Sequence, residues 1–260
     1  MEEKDLLLKI ENNVAYITIN REKQRNSLSV SAIELFRKYL NDIQENDTVR
    51  VVQVTGAGEK AFCTGADLGS TMGSTMGSSE KEAYQAYADL LKQISKFPKS
   101  TIGKINGYCL AGGMGLMLAC DIVIAADNAK FGTPEVNVGL FPMMIGALIF
   151  RNVPRKQAME MILSGRTLTS AEALDMGIIT RIEPKELLDE ETDKTLELMA
   201  SKSPIGLKIG KQAFYEMADM PFEQAVDYLS GKLGEVVSTE DATEGIKAFM
   251  EKRKPEFIGR

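Results

Sequence analysis

Three short runs constrain the fold more than anything else in this chain: "VRVVQVTG" at 49–56, "STIGKING" at 100–107 and "DIVIAAD" at 121–127. The first and last are valine- and isoleucine-rich with almost no polar alternation, and all three are too short for a helix. That is how strands covered on both faces read. Helical patterns lie between them. Ile33, Phe36, Leu40 and Ile43 recur at helical spacing behind Ser29 or Ser31, either of which can cap the helix, and a longer helix is expected over 80–96. Strands alternating with helices imply βαβ units and a mostly parallel sheet, so the expected class is α/β. Ahead of them, "LLLKIENNVAYITIN" reads as two strands around a turn at Asn12-Asn13.

The second half changes character. "PRKQAMEMILSG" is helical, and "TSAEALDMG" opens with a capping box from Thr169 to Glu172 and stops at Gly177. From about residue 185 helix follows helix, with Gly and Pro at the joints. The expected division is an α/β core over 1–185 and a helical region over 186–260. One segment fits neither pattern. "LGSTMGSTMGSS", 68–79, has the composition of a flexible loop, either a plain surface linker or a mobile wall over a binding site.

The most useful absence is histidine: with none among 260 residues, Ser-His-Asp and Cys-His schemes and histidine-rich metal sites are closed. Acid–base work must fall to Asp, Glu, Lys, Tyr or Cys. The three cysteines, Cys63, Cys109 and Cys120, have no C-x-x-C spacing and suit a reducing compartment. The opening "MEEKDLLLKI" lacks a signal-peptide pattern, and no run reaches the roughly 18 apolar residues of a membrane span. A cytoplasmic location and no membrane partner are therefore expected. A net charge of −6 disfavours nucleic acid, although "REKQR" and "EKRKPEFIGR" leave basic spots for an anionic ligand.

Two glycine-containing segments, "AFCTGADL" and "LAGGMGL", fall where strands give way to loops or helices. Glycine lets a ligand approach the backbone closely, and the first N–H groups of a helix have no intrahelical partner. Gly112-Gly113, at the head of an apolar helix, thus offers donors suited to an oxyanion.

Taken in order, "EKAFCTGAD" and "KINGYCLAGGMGLMLACDIVIAADNAKFGTPEVNVGL" resemble the crotonase family, the enoyl-CoA hydratase/isomerase superfamily. The likeness extends to "REKQRNSLS", "AMEMILSGRTLTSAEALDMGIITRI" and "GIKAFMEKRKPEF", and so covers nearly the whole chain. It implies a crotonase-like spiral of ββα units, with a helical C-terminal region that builds a homotrimer, often paired as a hexamer. It implies an acyl-CoA thioester as ligand, with coenzyme A arriving as part of the substrate and no separate cofactor. Matched residue by residue, the oxyanion-hole donors are the N–H groups of Ala66 and Gly112, which would stabilise an enolate. Arg25, Ser27 and Leu28 match contacts to pantetheine and phosphates. Ala66, Asp67 and Leu68 match main-chain contacts near the adenine. Phe257 matches an aromatic that closes over CoA, in some members from a neighbouring subunit.

Hydratases of this family place two glutamates beside the thioester. Here the second matches Glu135, in "FGTPEV", and the first falls on Gly115. Burial beside an apolar ligand would raise the pKa of Glu135 towards proton-transfer use. Asp67, Asp121 and Tyr108 are the nearest candidates for a missing partner, and Asp121 reads more simply as a structural cap or pair. Where many hydratases carry a Gly-rich run, this chain has "FPMMIGALIFRNVP", so Met143, Met144 and Ile145 make a bulkier apolar wall. The resemblance then implies an acyl-CoA enzyme with Glu135 as its acid–base residue, performing double-bond isomerisation or an atypical hydration. The alternatives are a non-catalytic acyl-CoA-binding member, and an acyl-CoA decarboxylase or C–C lyase.

Overall fold

The computed structural model describes residues 4–65 and 78–260. The chain begins with a hairpin, β1 (Leu6–Glu11) antiparallel to β2 (Val14–Ile19). Its turn residues Asn12 and Asn13 both adopt positive φ, at 49° and 65°. Such a turn matches the twist of the flanking strands, and asparagine tolerates that conformation. Helix α1 (Val30–Gln44) follows, capped by the Ser29 hydroxyl, which accepts from the Ala32 N–H at 3.1 Å. Its face of Ile33, Phe36, Leu40 and Ile43 is buried, as the spacing requires.

From there the chain repeats one pattern. A strand enters a large sheet, the next strand enters a small sheet, and a helix closes the turn. β3 (Val51–Gly56) and β4 (Ala61–Cys63) start the first turn, which runs on to α2 (Ser78–Ser95). β5 (Ser100–Ile105), β6 (Tyr108–Leu110) and α3 (Gly112–Leu118) make the second. β7 (Ile122–Ala126) and β8 (Lys130–Gly132) lead through a 3-10 turn, Pro134–Val138, to α4 (Met143–Asn152). After α5 (Arg155–Ser164) come β9 (Leu168–Thr169), α6 (Ser170–Asp175) and β10 (Arg181–Glu183). The result is the expected spiral of ββα units.

The large sheet has the order β1-β2-β3-β5-β7-β10, parallel from β2 onward. The small sheet is β4-β6-β8-β9, with only β9 antiparallel. Every residue of β3 is buried, which explains why its sequence shows no polar alternation. Phe36, Phe62, Phe97 and Phe131 are fully enclosed. Each contributes about 1.5–3 kcal/mol by leaving water. The Thr169–Glu172 capping box is formed, and the chain leaves α6 through Gly177 at φ 73°.

Beyond β10 come α7 (Leu188–Ala200), α8 (Pro204–Met217), α9 (Phe222–Val237) and α10 (Glu240–Glu251). α7 packs on β3, β5 and β7, whereas α8, α9 and α10 pack on one another. The tail is tied back by Asp241, which is fully buried and accepts from the Ser203 hydroxyl and the Ile258 and Gly259 N–H groups. Arg50 adds a bond to the Phe257 carbonyl at 2.7 Å. Among the described residues, no helix is long and apolar enough to cross a membrane.

Candidate active site

The small sheet sets up the site. Its parallel strands β4, β6 and β8 end together, so Gly65, the head of α3 and the turn 134–138 gather at one edge. β6 hands over to α3 through Ala111, whose backbone is strained at φ 50°, ψ −126°. A non-glycine residue there costs about 1–3 kcal/mol and persists only where its surroundings hold it. Ala111 is held from both sides: its N–H donates to the Gly132 carbonyl and its own carbonyl accepts from Met114 N–H, each at 2.9 Å. As first residue of the helix, Gly112 has an N–H with no intrahelical acceptor. Gly65, at φ 99°, lies against this corner, and a Cβ there would sit 3.0 Å from the Gly112 nitrogen.

Glu135 follows β8 on the turn closed by Gly139. Its Oε2 is sealed from solvent and has no hydrogen-bond partner among the described residues. Burial pushes the Glu135 carboxyl above the usual carboxylate range, opposed by its own backbone N–H. The neighbouring Thr133 hydroxyl is likewise buried without a partner. Two orphaned polar groups on one turn call for a reason, since native interiors contain few.

Gly115 lies in the first turn of the same helix, where nothing has been left open. A Cβ at that position would meet Ile145 Cγ2 at 2.4 Å and the Tyr87 hydroxyl at 2.6 Å. Tyr87, on α2, is nearly buried, and its hydroxyl donates to the Gly112 carbonyl. Ile145 comes from α4 and is buried as well.

The comparisons with known proteins agree with this architecture. The model of the enoyl-CoA hydratase/isomerase family matches residues 9–260. The chain belongs to the enoyl-CoA hydratase/isomerase family. It is similar to the (E)-benzylidenesuccinyl-CoA hydratase of Thauera aromatica, 35% identical over 97% of this chain and 98% of that one. It is also similar to the short-chain-enoyl-CoA hydratase of Clostridium acetobutylicum, 32% identical over 98% of each chain. The crystal structure of an enoyl-CoA hydratase from Bacillus anthracis superposes with a TM-score of 0.95 at 33% identity, over 99% of this chain and 100% of that one.

This enzyme of the hydratase/isomerase family brings some of the sequence-derived site residues together and separates others. Gly112, Gly115 and the turn carrying Glu135 share the edge just described. Ala66, Asp67 and Leu68 lie outside the described residues, as does most of the 68–79 run; its last two residues begin α2. Leu28 is buried and Ser27 nearly so, and the Leu28 N–H donates to the Gly65 carbonyl at 2.8 Å. The Arg25 carbonyl accepts from the Thr64 hydroxyl at 3.2 Å. Arg25 also lines a groove of about 400 Å³ with Lys60, Tyr108 and Lys130, residues at the beginnings of the small-sheet strands and not at their ends. Tyr108 thus stands at the start of β6, whereas α3 follows its end. Phe257 packs on α10, its ring 3.4 Å from where a Cβ of Gly245 would be. Asp121 accepts from the Thr101 N–H and hydroxyl and pairs with Lys211 at 2.6 Å, the structural reading of that residue. The three cysteines are free and buried; burial pushes the thiols up, to about 12 for Cys63 and Cys120.

Sequence reasoning missed Tyr87. It shares a helical face with Leu90, Leu91 and Ile94, so its spacing announces core and nothing more.

Proposed function

We propose that this enzyme converts an acyl-CoA thioester through an enolate, with the carboxylate of Glu135 alone carrying the proton. The observation that carries the reading is the closed position 115: neither a second glutamate nor any other side chain fits there without displacing Tyr87 or Ile145. The thioester oxygen would be held by the N–H groups of Ala66 and Gly112. Donors fixed where charge develops are each worth about 10²–10³ in rate. Support for Gly112 comes from its place at the strained corner and from Gly65 against it.

For a 3-enoyl thioester the steps balance without a further reactant. Glu135 takes a proton from C2, and the electron pair passes into the thioester, leaving a dienolate on the oxyanion donors. The same carboxyl then returns the proton at C4 as the double bond settles between C2 and C3. A raised pKa suits a group that must act as base and then as acid. Coenzyme A is part of the substrate, and Arg25, Ser27, Leu28, Asp67, Leu68 and Phe257 are assigned to its binding. The second reading, an atypical hydration with Glu135 activating water, is favoured by the names of the similar Thauera and Clostridium hydratases.

The helical region 186–260 is assigned to subunit contact, as a homotrimer or a pair of trimers. Its exposed Phe222, Leu233, Phe249 and Met250 support this, since apolar side chains of that size favour a covered surface.

The deciding experiment is a side-by-side assay on 2-enoyl-CoA and 3-enoyl-CoA. We expect 3-enoyl substrate to be converted to the 2-enoyl product, and Glu135→Gln to lower that rate by about 10³-fold. Hydration at ordinary rates for the family, or undiminished turnover by Glu135→Gln, would overturn the single-carboxylate reading.

A further inference from the structure

We propose that Tyr87 is a positioning residue of this site: its hydroxyl clamps Gly112 at the head of α3 and, with Ile145, fills the volume that a side chain at position 115 would need. The proposal deepens the reading of Glu135 as sole carboxylate, and rests on it only for the turnover test.

Three observations meet at the hydroxyl. It donates to the Gly112 carbonyl, so it fastens the residue whose N–H faces the oxyanion position. It lies 3.2 Å from where a Cβ of Gly112 would be and 2.6 Å from that of Gly115, so it spans the first turn of the helix. It is also close enough to Glu135 to feel that charge. Burial raises the tyrosine pKa well above its usual value, and the negative charge of Glu135 adds in the same direction. The group is thus a neutral O–H donor at neutral pH and takes no part as a base.

The arrangement explains how a strained residue is kept in place. Ala111 is bonded to Gly132 and Met114 and packed against Gly65, and its φ of 50° would relax if the head of α3 could shift. The first turn of a helix has no bonds of its own on the N–H side. Tyr87 leaves those N–H groups open and holds the turn through a carbonyl instead: from a different helix, α2, it donates to the Gly112 C=O and links the two elements where the thioester oxygen would be held. The same hydroxyl makes the site exclusive. A glutamate at 115 would require Tyr87 and Ile145 to change together, since its Cβ alone overlaps both.

Tyr87→Phe tests the clamp with the ring retained. We expect kcat on the 3-enoyl substrate to fall about tenfold with KM within about twofold, the pattern of an interaction that matters mainly in the transition state. Amide hydrogen exchange of residues 112–116 should accelerate, whether or not the enzyme turns over the chosen substrate. Unchanged kcat together with unchanged exchange would overturn the clamp. Gly115→Ala tests the shared volume independently. Its loss of Tm should shrink when Tyr87→Phe and Ile145→Ala are already present, a coupling that distant residues do not show. Additive losses would overturn the volume argument. Should Glu135→Gln remain active, the single-carboxylate reading fails, while exchange and the Gly115→Ala cycle still decide the role of Tyr87.

Discussion

At the end of α3, Asp121 accepts two hydrogen bonds from Thr101, at 2.7 and 2.9 Å, and an ion pair from Lys211 at 2.6 Å. Past β8, Glu135 keeps one oxygen buried with no partner among the described residues. Asp121 precedes β7 of the large sheet and Glu135 follows β8 of the small one, and both were candidates for acid–base work on sequence grounds. Their surroundings assign them opposite work. One oxygen of Asp121, Oδ2, takes all three fixed donors and fastens α8 to the large sheet through Lys211. Glu135 is left under-bonded beside an enclosed corner, so its proton affinity rises and its oxygen is free for another partner. A carboxylate oxygen held by fixed donors stabilises the fold, whereas a buried one without a donor costs stability and is retained for another reason.

Removing each group should therefore fail in a different way. The largest effect belongs to Glu135→Gln, which should lower turnover by about 10³-fold while ligand binding is retained and Tm is not lowered. Asp121→Ala should leave kcat within about twofold but cost about 2 kcal/mol in denaturant unfolding, since it strands a backbone N–H and a lysine. If Asp121→Ala abolished turnover while the protein remained folded, the contrast between the two carboxylates would collapse. Lys211→Met should cost less, about 1 kcal/mol, because both Thr101 bonds to Asp121 survive it. A loss as large as that of Asp121→Ala would mean that the ion pair, and not the Thr101 bonds, does the fastening.

How much of this was legible beforehand follows from element length and from chemistry. The hairpin at Asn12-Asn13, a helix start at Ser29 or Ser31, the Thr169–Glu172 box and the buried strand β3 were readable because each rests on a local pattern. The small sheet was not. β4, β6 and β8 have three residues each, too few to show any period, and their pairing depends on distant segments. Yet that sheet is what gathers the site. Gly115 was legible as a departure from the family pattern, but its cause was not, because Tyr87 and Ile145 reach it from other helices. Arg25 shows the converse limit. Its carbonyl is bonded to Thr64, next to Gly65, while the residue also lines the groove at the other ends of the strands.

The smallest effect, and the sharpest on the comparison itself, concerns pH. Glu135 has a folded-state pKa above its unfolded value, because burial disfavours the charge. The folded protein then holds the proton more tightly than the unfolded chain, so stability falls as pH rises from the unfolded pKa through the raised one. Above that window the wild type carries the full cost of a buried charge; below it, none. Glutamine is neutral throughout. Glu135→Gln should accordingly be the more stable protein at pH 8, with the difference shrinking as pH drops and vanishing once Glu135 is protonated in both states. Thermal denaturation of the pair across pH 4–8 measures this directly. A constant difference at all pH values would mean that the carboxylate is solvated after all, and that Glu135 is held no differently from any surface glutamate.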